Sequence, residues 1–291
     1  MTFPRGVLLF LAATFFGTAM SACIRQVSGD VPLGQIIFWR SATALPPIIA
    51  YMALCGDFPR AMTTRQPRLH LTRNLFGALS MALSFVSLTY LPVANAQALA
   101  YLTPVLTLPI AAVIAGERPG RRVISALALG VVGVSVMIGG AIRMPGDGAA
   151  IGVAAGLGFA ATMAFVRVHI RGMTRSERPA TIAFYFGLTG SLIGLASWPF
   201  GWIAPNPTTM ALLVTSGILG AFAHICATEA VARTAVSTIA PLEYTGLIWA
   251  LGFDILLLGD PPAPASLAGA AVILLAVLVV ARSGEQPAGN K

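Results

Sequence analysis

The sequence predicts an all-α integral membrane protein, with ten transmembrane helices in two inverted five-helix repeats. Three observations lead there. Only 10% of the residues are charged and 57% are apolar, against about 25% charged in an ordinary soluble domain. Ten apolar stretches each approach the roughly 20 residues a helix needs to cross a bilayer core. Finally, 15 of the 18 Lys and Arg side chains fall on one side of the zigzag those stretches trace. The apolar runs are continuous rather than alternating, and each backbone group in lipid must be satisfied within its own segment, so helices are expected rather than a barrel.

The spans follow one another closely. The first, near 6–24, comes after Arg5 and ends in Met20-Ser21-Ala22-Cys23, a faint likeness to a lipoprotein cleavage box. Nine later spans make it a retained helix rather than a removed signal. The second, 31–55, contains Phe38-Trp39-Arg40, and the third, 73–91, has Gly77, Ser80, Ser84 and Ser87 at helical spacing. The fourth, 94–115, starts with Gln97 and Tyr101 and holds Pro104 and Pro109, each of which removes a backbone donor and bends the helix. A fifth span covers 123–142. The stretch from Arg143 to Gly148, with Pro145 and Gly146, then reads as a linker. Spans at 149–166, 180–200, 209–231, 236–258 and 265–281 complete the set, leaving 283–291 as a tail.

The formal charge of +8 is a topology signal and no sign of nucleic-acid binding. With the N-terminus in the cytoplasm, that side receives clusters such as Arg60, Arg65, Arg68 and Arg73, or Arg167, Arg171, Arg175 and Arg178. The outer side receives only Arg25 and Arg143, and Arg40 lies within a span. This is the positive-inside pattern, and it places both termini in the cytoplasm of a bacterial inner membrane. Cys23, Cys55 and Cys226 are odd in number and widely spaced, with packing as their default role.

An odd number of spans per half turns the second half upside down relative to the first, the plan of many secondary transporters. Self-similarity supports the division into 1–142 and 149–282. Gly6-Val7 and Ile24-Arg25 recur as Gly152-Val153 and Ile170-Arg171, an offset of 146. An offset of 143 pairs Gly77 with Gly220, Val93 with Val236, Tyr101 with Tyr244, and Gly116-Glu117 with Gly259-Asp260. Three segments, Ala96 to Pro119, Ala240 to Pro262, and Phe38-Trp39-Arg40, resemble the drug/metabolite transporter superfamily, specifically its ten-helix EamA-type members. The resemblance runs through the whole chain. It implies a central cavity lined mainly by helices one to four and six to nine, worked by alternating access. Asp260-Pro261 stands where the first half has Glu117-Arg118, a departure from the repeat.

Ionisable groups at membrane depth cost about 2.5–3.5 kcal/mol each on insertion scales, so each needs a reason. Glu243 and Asp254 stand 11 residues apart on the ninth span, about three turns, and therefore share a face with Gly246, Leu247 and Ala250. They form an acidic wall able to hold a proton or a cationic or polar substrate, or they serve structure. Arg40 either counters one of them or binds a substrate carboxylate or phosphate through its planar fork. His224 belongs to a stripe with Gly217, Gly220, Ala221 and Thr228 on the eighth span, and either relays a proton or hydrogen-bonds in packing. Glu229 precedes Arg233 by four residues, the order of a helical ion pair. Ser84, Gln97, Tyr101, Tyr244 and Trp249 complete the candidate pathway.

These features together predict a secondary transporter of a small polar or amphipathic metabolite, coupled to protons or exchanging freely. The resemblance implies cargoes such as amino acids, vitamins, nucleosides or S-adenosylmethionine-like compounds. No enzymatic activity, cofactor or metal is expected; the partners are a small-molecule substrate and the lipid bilayer, in a monomer or homodimer. The rival classes, an intramembrane enzyme or a non-transporting scaffold, lack a nucleophile elbow, a zinc box or a signalling domain in the sequence.

Overall fold

The computed structural model describes residues 5–64, 66–103, 105–107, 125, 128–133, 135–136, 148–173, 177–233 and 245–281. Among them every regular element is helical. Helix α1 spans Arg5–Val27, α2 Leu33–Ala42, α3 Leu45–Leu54, α4 Pro67–Tyr90 and α5 Val93–Ala100. In the second half come α6 (Ala149–Met173), α7 (Pro179–Ala196), α8 (Pro207–Arg233), α9 (Thr245–Phe253) and α10 (Pro264–Ala281). Five described helical segments are long and apolar enough to cross a membrane: Arg5–Val27, Leu33–Leu54, Pro67–Tyr90, Ala149–Ile170 and Pro207–Ala230. Ala180–Ala196 and Thr245–Leu258 are shorter apolar helices. Most of the fifth predicted span, and Pro104 and Pro109 of the fourth, lie outside the described residues.

Local chemistry sets several helix ends. The second predicted span is two helices because Pro46 and Pro47, in the first turn of α3, have no N–H for the carbonyls of Ala42 and Thr43. Thr43 bridges the break, its hydroxyl donating to the Trp39 carbonyl at 2.6 Å and to Val214 on α8 at 3.2 Å. Arg40 therefore sits on the last turn of α2, directly before the break. At its end, α9 widens into a π turn, Asp254–Leu258, which closes on Gly259 in a left-handed conformation, φ 68°. Such turns inside helices re-aim the side chains they carry.

Two helices outrun their sequence-predicted spans. Helix α4 begins at Pro67 rather than near residue 73, and α6 continues to Met173 rather than stopping at 166. Hydropathy windows end where a charge appears, but a helix continues wherever that charge faces protein instead of lipid. Arg73 and Arg167, read from the sequence as loop cations, are therefore helical.

The main contacts join the two halves. Helix α1 lies along α8, α4 along α6, and α2 along α7; α1 also meets α9, α5 meets both α6 and α9, α2 meets α8, and α4 meets α7. Close approach is built in by small residues, as membrane helix contacts favour. A Cβ at Gly194 of α7 would lie 2.5 Å from the Phe38 backbone nitrogen and 2.6 Å from its Cα. The largest buried cluster gathers Ile24, Val27, Leu88, Leu91, Val93 and Leu99 near the α4–α5 turn.

Candidate functional site

Between α1, α2, α4, α5, α6, α7 and α8 lies a cavity of about 490 Å³, within the range of roughly 300–1,000 Å³ usual for small-molecule sites. Much of its wall is apolar, with Phe10, Met20, Met81, Phe85, Phe159 and Met163. Four side chains of basic type reach it, Arg40, Arg73, Arg167 and His224, and among the described lining residues there is no carboxylate.

Two of the arginines share one aromatic ring. The Arg40 guanidinium carbon lies 5.7 Å from the centroid of Phe186 on α7, and that of Arg73 lies 4.1 Å from it. Among the described residues, Arg40 Nη1 has only the thioether of Met81 as acceptor, at 3.6 Å, a weak partner. Arg73 Nη1 donates to the side-chain oxygen of the adjacent Asn74 at 3.3 Å. Asn74 is itself tethered to α7, its amide donating to the Tyr185 carbonyl at 3.0 Å and the Thr189 hydroxyl at 2.8 Å. Both Nε atoms are buried without a hydrogen-bond partner. Glycines make room for the pair. A Cβ at Gly220 would approach Arg40 Nη2 to 3.3 Å, and one at Gly77 would approach Phe186 to 2.9 Å and Arg73 Nη1 to 3.4 Å.

Of the sequence-predicted pathway residues, Arg40, Ser84, Gln97, Tyr101 and His224 line this cavity. Tyr101 caps the C-terminus of α5 and is buried. Its hydroxyl lies against Gly246 of α9, where a Cβ would come within 2.6 Å of it. The face of α9 holding Gly246, Leu247, Ala250 and Asp254 is buried, but it packs behind Tyr101 rather than lining the cavity. Trp249 points away, 37% exposed and edge-on to Phe15 with centroids 5.4 Å apart. Glu243 and Tyr244 lie outside the described residues.

Asp254 is fully buried, and both carboxylate oxygens accept backbone bonds at the start of α5, from Val93 N–H at 2.8 Å and Ala94 N–H at 2.7 Å. The first N–H groups of a helix have no partner within it, and a carboxylate placed there satisfies them and the helix dipole together. Asp254 thus joins α9 to α5 and makes no ion pair with Arg40. Close by, Arg25 of α1 meets Asp260 at 3.6 Å. At the opposite end, Glu177 Oε1 accepts from the Thr64 hydroxyl at 2.7 Å and from Gln66 N–H at 3.1 Å, with His70 Nε2 3.8 Å away. That cluster ties the α6–α7 connection to the start of α4. Glu229 accepts a hydrogen bond from the Tyr51 hydroxyl of α3; its expected pairing with Arg233 involves a side chain outside the described ones.

Arg73, Arg167 and Phe186 were not among the sequence candidates. A signal for Arg73 was present, because the stripe Gly77, Ser80 and Ser84 extends one turn back to reach it. Phe186 stands 146 positions after Arg40, the same offset that relates the start of the two halves.

The EamA-like transporter family matches this chain twice, over residues 4–139 and again over 150–282. A pseudopaline exporter of Pseudomonas aeruginosa is 25% identical over 96% of both chains. A riboflavin transporter of Rhizobium johnstonii is 27% identical over 87% of this chain and 82% of its own length. An S-adenosylmethionine uptake transporter of Rickettsia prowazekii is 21% identical over 100% of this chain and 97% of its own. One solved crystal structure superposes over 97% of this chain and 99% of its own, with a TM-score of 0.68 at 20% identity, a likeness of fold.

Proposed function

Because the chain belongs to the EamA-like transporter family, and is on that ground a multi-pass membrane transporter of small molecules, we propose that it works by alternating access between two inverted five-helix halves. Its cargo is a small polar or amphipathic metabolite, moved across a bacterial inner membrane with both termini in the cytoplasm. The observation that carries this reading is the cavity itself. Its wall is drawn from α1, α2, α4 and α5 of the first half and from α6, α7 and α8 of the second, and an interface between repeats is where repeat-built transporters hold substrate.

The helix contacts support the inverted arrangement. Let α1 correspond to α6, α2 to α7, α4 to α8, and α5 to α9. Exchanging the halves then turns the α1–α8 contact into α6–α4, α1–α9 into α6–α5, and α2–α8 into α7–α4, while α2–α7 and α5–α9 map onto themselves. All of these contacts occur. Gly77 and Gly220, paired by the offset of 143, each flank one of the two arginines. The cationic bias of the loops supports cytoplasmic termini even with Arg73 and Arg167 moved into helices.

The relatives' names point to three different cargoes, so the family supports a small organic molecule, and the cavity lining of this chain selects which. Reconstitution tests the reading. Proteoliposomes holding the purified protein, preloaded with a cell metabolite extract, are expected to exchange at least one labelled metabolite faster than protein-free vesicles and to return it chemically unchanged. Recovery of only converted product would overturn the reading in favour of an enzyme. Proton coupling through Glu243, with His224 as relay, belongs to the same proposal. It predicts uptake driven by a pH gradient and uncoupled by Glu243→Gln, and it fails if uptake ignores both.

A further inference from the structure

We propose that the cavity selects organic anions, with Arg40 and Arg73 around the Phe186 ring forming the seat for the oxyanion of an amphipathic substrate, a carboxylate or a phosphate ester. This rests on the transporter reading above and narrows it to a substrate class.

The two guanidinium groups are more than nine-tenths buried, 6% and 7% exposed by residue, and both face the cavity. A buried cation is normally paired, because removing a charge from water costs several kcal/mol that only a counter-charge and hydrogen bonds offset. Here the partners among the described residues are a thioether, a neutral amide and the face of one ring. A ring face attracts a cation but accepts its N–H groups only weakly, without a lone pair or a counter-charge. With both guanidinium carbons on the same ring, the two charges lie within about 10 Å of each other, a separation at which like charges in a poorly hydrated space still repel. Among the described residues, the carboxylates that approach membrane depth are occupied elsewhere. Asp254 is engaged with Val93 and Ala94, Glu177 with Thr64 and Gln66, and Glu229 with Tyr51.

The two guanidinium edges have a definite chemistry. Each arginine keeps an unpartnered Nε–H beside its terminal nitrogens, and that edge of a guanidinium is the planar fork that grips two oxygens of a carboxylate or phosphate. Gly77 and Gly220 leave the space on which the forks depend. The remaining wall, with Phe10, Phe85, Phe159, Met20 and Met163, suits a carbon body rather than a second charge. The same field opposes a cationic substrate, the alternative that the acidic residues of the ninth span had suggested from sequence.

Matched probes decide the matter. Proteoliposomes of phosphatidylcholine alone carry no net-anionic lipid, so the probe competes with the labelled metabolite rather than with an acidic headgroup. Two sets differ only in charge: 3-phenylpropanoate, 3-phenylpropanamide and 3-phenylpropylamine; then succinate, succinamide and 1,4-diaminobutane. Each is measured as a competitor of the labelled metabolite identified by exchange. The expected result is that the carboxylates compete about tenfold or more better than their amides, and the amines least, with phenylpropanoate ahead of succinate. Arg40→Gln and Arg73→Gln should each erase that preference, whereas Arg40→Lys retains part of it and Arg25→Gln, outside the cavity, leaves it unchanged. Equal competition by acids and amides, or a preference for the amines, overturns the inference while leaving exchange, and hence the transporter reading, intact. Absence of exchange of any metabolite overturns the transporter reading and takes this inference with it. The selectivity of the unmodified protein is informative even if an arginine variant fails to fold.

Discussion

Asp254 and the Arg40–Arg73 pair are both ionisable groups at membrane depth, and they are treated in opposite ways. Asp254 has every lone pair it needs satisfied by the two N–H groups that open α5, and it lies behind the cavity. The arginines open onto the cavity with their Nε atoms bare. A satisfied buried charge holds two helices together; one left unpaired among the described residues is, in the proposal above, the charge that meets substrate. The cost of burying charge is the same kind of cost in both places, but among the described residues only the first is met.

The largest expected effect breaks the satisfied side. Asp254→Ala strands two buried N–H groups at a helix start and should lower stability by about 3 kcal/mol, with Asp254→Asn recovering roughly half. Thermal unfolding of the protein in detergent measures both. The opposite sign is expected on the other side. Arg73→Met removes a buried cation that has no counter-charge among the described residues, and should raise stability by about 1–2 kcal/mol while exchange of the native substrate falls about tenfold. A variant that lost stability along with activity would place Arg73 with Asp254 as a structural charge. Phe186→Leu keeps the apolar volume but deletes the ring face, and is expected to cost about 1 kcal/mol, seen as a weaker substrate affinity. Smallest of all, Arg25→Gln breaks a half-exposed ion pair with Asp260 and should change stability by less than about 1 kcal/mol, a difference that salt abolishes.

Sequence alone determined the membrane class, the helical content, the repeat and most of the helix positions. These depend on period, length and composition, which are local properties. Small-residue stripes were legible too: Gly77 and Gly220 do stand at close helix contacts. Charges at helix ends were harder. Arg73 looked like one more loop cation, because a hydropathy window cannot tell a charge facing water from one facing a cavity. Only the tertiary structure brought it beside Arg40 on a shared ring, from helices 33 positions apart in sequence, with the ring supplied by the other half. It also took Asp254 out of the cavity, since the π turn of α9 aims that carboxylate at α5. Which charge is left unpaired is a property of three-dimensional neighbours, and a sequence lists charges without saying which of them meet.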